Sequence, residues 1–278
     1  MKLITGANGQ LGICISKLLP DAICTDVSDL DITNSDAVNK FVNKNNIDLI
    51  INCAAYTAVD KAESDLQLAK KINTDGPRNL AKTGAKIIHI STDYVFDGHS
   101  YQPYTPEMKT NPLSVYGKTK RAGEIAVVNN SDNYVIIRTA WLYSIYGNNF
   151  VKNMRRLGAE RDSINVVSDQ IGSPTLANDL AYAIVKIIPQ MAPEKSGIYH
   201  YTNMGVCSWY DFATEIIEQS NLNCMVKPIK SSQYPTLAPR PFYSVLDKSK
   251  TKETFGLEIP HWKDGLKRCI FEFNTNSK

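Results

Sequence analysis

Three glycines, Gly6, Gly9 and Gly12, stand at three-residue spacing within the first dozen residues, directly after a short apolar run and directly before an amphipathic one. Residues 2–5 read as a strand, and residues 10–19 as a helix with Leu11, Cys14, Ile15 and Leu18 on one face. A turn this tight needs positions without Cβ, and the helix behind it offers unpaired amides and the positive end of its dipole. Strand, glycine turn and helix together form a cradle for a pyrophosphate. They also commit the chain to a parallel sheet fed by crossover helices.

The next 130 residues keep that rhythm. Strands are expected at 22–26, 48–55, 86–92 and 134–139, with helices at 35–45, 64–82 and 114–128. The 48–55 run is almost wholly apolar, as a strand covered on both faces must be. The expected fold class is therefore α/β, a Rossmann-type doubly wound parallel sheet with a smaller C-terminal substrate-binding lobe. After Trp141 the pattern loosens into a helix at 149–159, a strand at 164–167, a helix at 176–188, a strand at 198–201 and a helix capped by Ser208 and running through Gln219. Residues 227–241 carry four prolines and read as an ordered loop or extended arm. This divides the chain into a dinucleotide-binding domain over 1–146 and a lobe over 147–278, with segments such as 176–201 returning to the main sheet.

Composition narrows the partners. With 43% hydrophobic and 21% charged residues, the chain can build a sizeable core. A net charge of +3 without any long Lys/Arg run argues against nucleic-acid or membrane-surface binding. The six cysteines show no C-x-x-C pair and read as free thiols of a reducing cytoplasm. No run of 18 apolar residues is present, and the first strand begins at Lys2, so neither a membrane span nor a signal peptide is expected. His89 reads as a core residue, and His99, His200 and His261 lack metal-ligand spacing; no metal is expected.

Around the glycine cradle, Asn8, Gln10 and Leu11 complete the turn, and Asp26 ends the second strand where a carboxylate accepts from the ribose hydroxyls of an adenosine. Asp31 and Ile32 either cover the adenine or, in the case of Asp31, supply a solvated loop carboxylate. Ala54, Ala55, Tyr56 and Thr57 follow the third strand, where small residues let the backbone approach the cofactor. The cofactor is NADH or NADPH. The absence of Arg or Lys between Cys24 and Asp31 favours NADH, because nothing there would receive a 2′-phosphate.

Tyr116 and Lys120 lie four apart on a helix and so project from one face. Y-x-x-x-K alone is a common surface pair; after the fourth strand of a dinucleotide fold it becomes an acid and its tuner. A free phenol titrates near 10, and a neighbouring ammonium is expected to lower that value. Thr92, at the end of the fourth strand, is the hydroxyl placed to hold a carbonyl oxygen, with Ser91 structural. Asn73 is either polar helix surface or a holder of backbone or water.

Taken in order, Gly6 through Gly12, Ala54 through Asp60, Ser91 through Gly98, Tyr116 through Lys120, Arg138 through Trp141 and Asp169 through Thr175 resemble the dTDP-4-dehydrorhamnose reductases, a family of extended short-chain dehydrogenases. That resemblance implies NAD(P)H-dependent reduction of the C4 ketone of dTDP-4-dehydro-β-L-rhamnose, the last step of dTDP-L-rhamnose synthesis. It implies Tyr116 as proton donor and Lys120 on the nicotinamide ribose. Thr92, Asp93 and Val95 would meet the sugar, Trp141 would pack on it, and Gln170, Ser173 and Arg240 would lie near the nucleotide-sugar. Some members are magnesium-linked dimers, but no carboxylate set here carries over, so monomer and homodimer both stand. Other nucleotide-sugar epimerases and reductases share the fold, and a regulatory subunit like methionine adenosyltransferase β keeps a similar Tyr-Lys pair. A 4,6-dehydratase needs a second carboxylate after Asp93, where this chain has Tyr94.

Overall fold

Four adjacent pairs of aliphatic residues explain the sheet. In the computed structural model, which describes residues 1–276, β1 (Lys2–Thr5), β2 (Ile23–Thr25), β3 (Leu49–Asn52), β4 (Lys86–Thr92), β5 (Tyr134–Thr139) and the strand Gly197–His200 form one parallel sheet. Its order is Gly197–His200, β5, β4, β3, β1, β2. Neighbouring side chains on a strand point to opposite faces. Ile4, Ile51, Ile88 and Ile137 therefore enter one core with helix α1 (Gln10–Leu18) and the helix Ala177–Ile187. Leu3, Ile50, Ile87 and Ile136 enter the other with Val38, Val42, Leu80 and Val127. All eight are fully buried, each worth roughly 1.5–3 kcal/mol of apolar transfer.

Strands β1, β4 and β5 fall where the sequence puts them, and most helix ends shift by one or two residues, because Asn34, Ser114, Asn149 and Ser208 each spend a side-chain oxygen on a first-turn amide. One feature has no periodic signature: the expected helix 64–82 contains a π-turn over Lys71–Asp75. It turns Asn73 into the interior, where its amide accepts from the Tyr56 N–H at 2.8 Å and donates to the Tyr56 carbonyl at 3.1 Å and the Thr119 hydroxyl at 3.2 Å.

A second core lies beyond Trp141. The helices Phe150–Glu160, Trp209–Gln219 and Trp262–Asn276 close around Tyr143, Val151, Ile164, Phe212, Trp262 and Leu266. A parallel ribbon of Ser163–Val167 with Met225–Ile229 edges this core, so residues 227–229 of the proline-rich stretch are strand, and only residues 230–241 form an arm. Gly197–His200 pairs with β5 in the main sheet, and Ala177–Ile187 packs on α1.

The helix Val115–Val128 is tied to the sheet by a buried charge network. Glu124 is 0% exposed; its carboxylate accepts from Ser91 Oγ (2.5 Å), from Arg138 Nε and Nη2 (both 2.8 Å) and from Arg121 Nη1 (2.9 Å). Removing one partner of such a pair strands the other charge in low dielectric. Glu124→Ala is expected to cost about 3–5 kcal/mol, read from urea unfolding of the two proteins.

Candidate active site

At the carboxyl ends of β1, β3, β4 and β5, beside the switch point between β1 and β3, a cavity of ≈ 810 Å³ opens. One wall is the glycine turn. Gly6 has φ +65°, and a Cβ there would stand 2.6 Å from the Ala54 nitrogen; a Cβ on Gly12 would stand 2.3 Å from the Gly6 carbonyl. No side chain caps α1, so its first amides face the cavity unspent beside Gly9, Gln10, Leu11 and Gly12. This cradle fits a pyrophosphate. Further along, Asp26, Asp31, Ile32, Ala54, Ala55 and Thr57 line the same cavity. The Asp26 carboxylate accepts from the amides of Asn8 (3.2 Å) and Val27 (2.8 Å).

Two residues of the expected cofactor set do not line the cavity. Asn8 contributes its backbone to Asp26, and Tyr56 has its backbone clamped by Asn73 while its hydroxyl reaches Asp65 at 3.3 Å.

Thr92, Tyr116 and Lys120 line the cavity together. Lys120 is 2% exposed and donates from Nζ to the Ile90 carbonyl at 2.6 Å. Burial pushes its pKa down to about 8, against the pull of Glu124 four residues on. Burial also pushes the Tyr116 phenol up to about 12, with the nearby Thr92 hydroxyl opposing the rise and Asp93 adding to it. The expectation that Lys120 lowers the Tyr116 pKa is therefore corrected. The ammonium is spent on Ile90, and desolvation decides. The phenol consequently stays protonated at neutral pH, which is the state a proton donor requires.

Thr92 caps the turn Asp93–Val95, accepting from the Tyr94 amide at 3.2 Å and facing Asp93 Oδ1 at 3.0 Å. Asp93 is 3% exposed and lines the cavity, and its Oδ2 has no hydrogen-bond partner. Burial lifts its pKa to about 7, although the Thr92 and Ser244 hydroxyls and nearby amides pull it down.

Trp141 also lines the cavity, in a left-handed conformation (φ +50°) that costs a bulky residue about 1–2 kcal/mol. Three contacts hold it there. Its ring stacks on Trp209 at 3.5 Å, its carbonyl accepts from the Thr175 amide at 3.1 Å, and Gly172 leaves the space a Cβ would take 2.7 Å from the indole. The other expected sugar contacts lie off the cavity wall. Val95 is fully buried with Phe96, Tyr104 and Leu246, because the turn after Asp93 points it into the core. Ser173 is fully buried and donates to the Gly205 carbonyl at 2.6 Å; Gln170 donates to Ser231 Oγ at 3.0 Å. Arg240 is paired with Asp60 at 2.5 Å.

Sequence reasoning missed several residues. Tyr94 lines the cavity and meets the Tyr116 ring edge-to-face at 5.4 Å. Glu124 was legible in principle, since Tyr116, Lys120 and Glu124 repeat at four-residue steps. Trp209 and Asp60 carry no signal in spacing. Among the described residues, no group of three His, Cys, Asp or Glu side chains converges as a metal would need.

The RmlD substrate binding domain family matches residues 1–275. The chain belongs to this family. A dTDP-4-dehydrorhamnose reductase of Aggregatibacter actinomycetemcomitans is 41% identical, across 95% of this chain and 96% of its own length. Among solved structures, a dTDP-4-dehydrorhamnose reductase of Clostridium acetobutylicum superposes with a TM-score of 0.95 at 48% identity, covering 99% of this chain and all of that one. One from Bacillus anthracis, in complex with NADP, superposes at 0.94 with 43% identity and 98% of each chain covered. A dTDP-glucose 4,6-dehydratase of Streptomyces venezuelae, 17% identical with a TM-score of 0.82, shares the fold.

The raised pKa of Asp93 couples the stability of this family member to pH. A carboxyl whose folded pKa exceeds its unfolded value contributes stability below the unfolded pKa and loses it as pH rises through the folded one. From the ordinary 3.8 to about 7, the loss is at most roughly 4 kcal/mol. Asp93→Asn is expected to gain melting temperature relative to the parent as pH goes from 5 to 8; calorimetry at both pH values checks the sign.

Proposed function

We propose that this protein reduces the C4 ketone of dTDP-4-dehydro-β-L-rhamnose with NAD(P)H, completing dTDP-L-rhamnose. The observation that carries the reading is that Thr92, Tyr116 and Lys120 line one cavity together with the uncapped first turn of α1. The bound dinucleotide supplies hydride to the carbonyl carbon. Residues Gly6–Gly12 hold its pyrophosphate, Asp26 its ribose hydroxyls, and Asp31, Ile32 and Ala54–Thr57 the flanking surfaces.

Tyr116 gives its proton to the C4 oxygen as negative charge develops there, while Thr92 fixes that oxygen with its hydroxyl. Lys120 exchanges the Ile90 carbonyl for the nicotinamide ribose, and its charge then stands beside the phenol. Trp141 supplies a flat apolar wall for the 6-deoxy face of the sugar. Arg240, released from Asp60, offers a planar fork to the diphosphate. Gln170 and Ser173 act at one remove, holding the arm and the turn behind Trp141. The lobe around the second core would carry the nucleotide-sugar, and the six free thiols suit a reducing cytoplasm.

Tyr116→Phe is expected to lower kcat by about 10²–10⁴-fold, with NADH affinity changed less than about threefold, because it deletes a proton donor and little cofactor contact. Following NADH oxidation with dTDP-4-dehydrorhamnose beside a UDP-linked 4-keto sugar tests the reaction and the base together. Parental turnover by Tyr116→Phe would sink the assignment.

The wall that receives the adenosine presents the carboxylates of Asp26 and Asp31 and, among the described residues, no cation, so NADH is expected to exceed NADPH in kcat/KM. An equal or reversed ratio removes that preference without touching the reaction. Lys120 carries its charge below about 8 and loses it above. The kcat/KM profile should accordingly fall as pH rises through that value.

A further inference from the structure

We infer that Asp60 is a specificity latch for the nucleotide-sugar, holding the Arg240 guanidinium until a ligand that carries a diphosphate displaces it. The inference rests on the reductase reading and on Arg240 as the partner of the diphosphate. Both carboxylate oxygens of Asp60 are spent on the arm over residues 230–241. Oδ1 accepts from the Ala238 amide at 3.0 Å, and Oδ2 accepts from Arg240 Nη2 at 2.5 Å. Among the described residues, Asp60 is the only carboxylate paired with Arg240.

The pair stands at the rim of the cavity. Asp60 belongs to the short helix Val59–Ala62 after β3, and its neighbour Val59 lines the cavity with Thr57 and Tyr94. Pro239 and Pro241, on either side of Arg240, close a small cleft with Tyr94. The arm is tied at both ends and bare between them. At its start, Ser231 donates to Asp169 Oδ1 from its amide at 2.9 Å and from Oγ at 2.6 Å. Residues 232–237 are exposed, and the chain is buried again at Ala238, where Asp60 takes hold of it.

A guanidinium presents the same planar fork to a carboxylate and to a diphosphate, so the two compete for it. A ligand that takes the fork must first break the Asp60 pair, and its apparent affinity is reduced by the fraction of molecules in which the pair is open. The Arg240 side chain is 21% exposed and that of Asp60 42%, so water screens the pair and keeps it breakable. When Arg240 leaves, Oδ1 can keep the Ala238 amide, and the arm stays seated while the guanidinium turns. A nucleoside without phosphate has no charge to exchange for the carboxylate and gains nothing from Arg240. Selection for the diphosphate thus comes from a competitor within the chain that weaker ligands cannot displace.

The test is a double-mutant cycle on Asp60 and Arg240, read by calorimetric titration of dTDP into the NADH-loaded protein, with thymidine titrated as its competitor. Asp60→Asn keeps an oxygen for the Ala238 amide and removes the charge that holds Arg240. Its Kd for dTDP is expected to fall by about fivefold, with that for thymidine within about twofold of the parent. Arg240→Met is expected to raise the dTDP Kd by about tenfold or more. In the Arg240→Met background, Asp60→Asn should change the dTDP Kd by less than about twofold, since no latch remains to open. A residue with a purely structural role would weaken binding when replaced, whereas the latch predicts a gain.

An unchanged or raised dTDP Kd in Asp60→Asn overturns the latch. So does a gain of equal size with and without Arg240, which marks bare repulsion between the Asp60 carboxylate and the diphosphate, and so does an equal gain for thymidine. An Arg240→Met protein that binds dTDP like the parent overturns it as well, because the fork then takes no part. Should Asp60→Asn not fold, Asp60→Ser, which also leaves an oxygen for the amide, enters the same cycle with the same expectations. A parent that oxidises no NADH with dTDP-4-dehydrorhamnose defeats the reductase reading, whereas a working parent without the Arg240-dependent gain defeats the latch alone.

Discussion

The Glu124 carboxylate is the point on which the geometry of the site hangs. It is fully buried and receives donors from β4 (Ser91), β5 (Arg138) and its own helix (Arg121), so the helix cannot slide or rotate without leaving a charge unpaired in the interior. Lys120 and Tyr116 sit one and two turns toward the N-terminus on the same helix. Fixing Glu124 therefore fixes where the phenol and the ammonium meet the end of β4. Arg138 adds a contact with the Phe96 ring at 5.0 Å, which joins the network to the turn that carries Thr92 and Asp93.

Desolvation is the common cause of the electrostatics in this cavity. It raises Tyr116 and Asp93 and lowers Lys120, moving each group toward its neutral form. Two of them thereby come to titrate near neutral pH. Such an arrangement opposes stability, since burying groups that could be ionised is unfavourable, and the two aliphatic cores on either face of the sheet are what offset it. Backbone strain obeys the same logic. Trp141 keeps its left-handed conformation because the Trp209 stack, the Thr175 amide and the space at Gly172 over-determine its place.

The sequence by itself determined the glycine turn between strand and helix, the succession of strands along the chain through β5 and the shared helix face of Tyr116 and Lys120, because each is encoded by residues close together in the chain. Period-two aliphatic pairs can only be buried on two faces, a missing Cβ at Gly6 and Gly12 is a local steric fact, and a four-residue step on a helix is geometry. Tertiary structure alone decided the rest. Whether Val95 faces sugar or core depended on the turn after Asp93; whether Arg240 is free depended on Asp60, 180 positions away. The direction of the Tyr116 pKa depended on how much water the fold removes and on which acceptor the Lys120 ammonium finds. Those are properties of space between distant segments, and no spacing along a single chain records them.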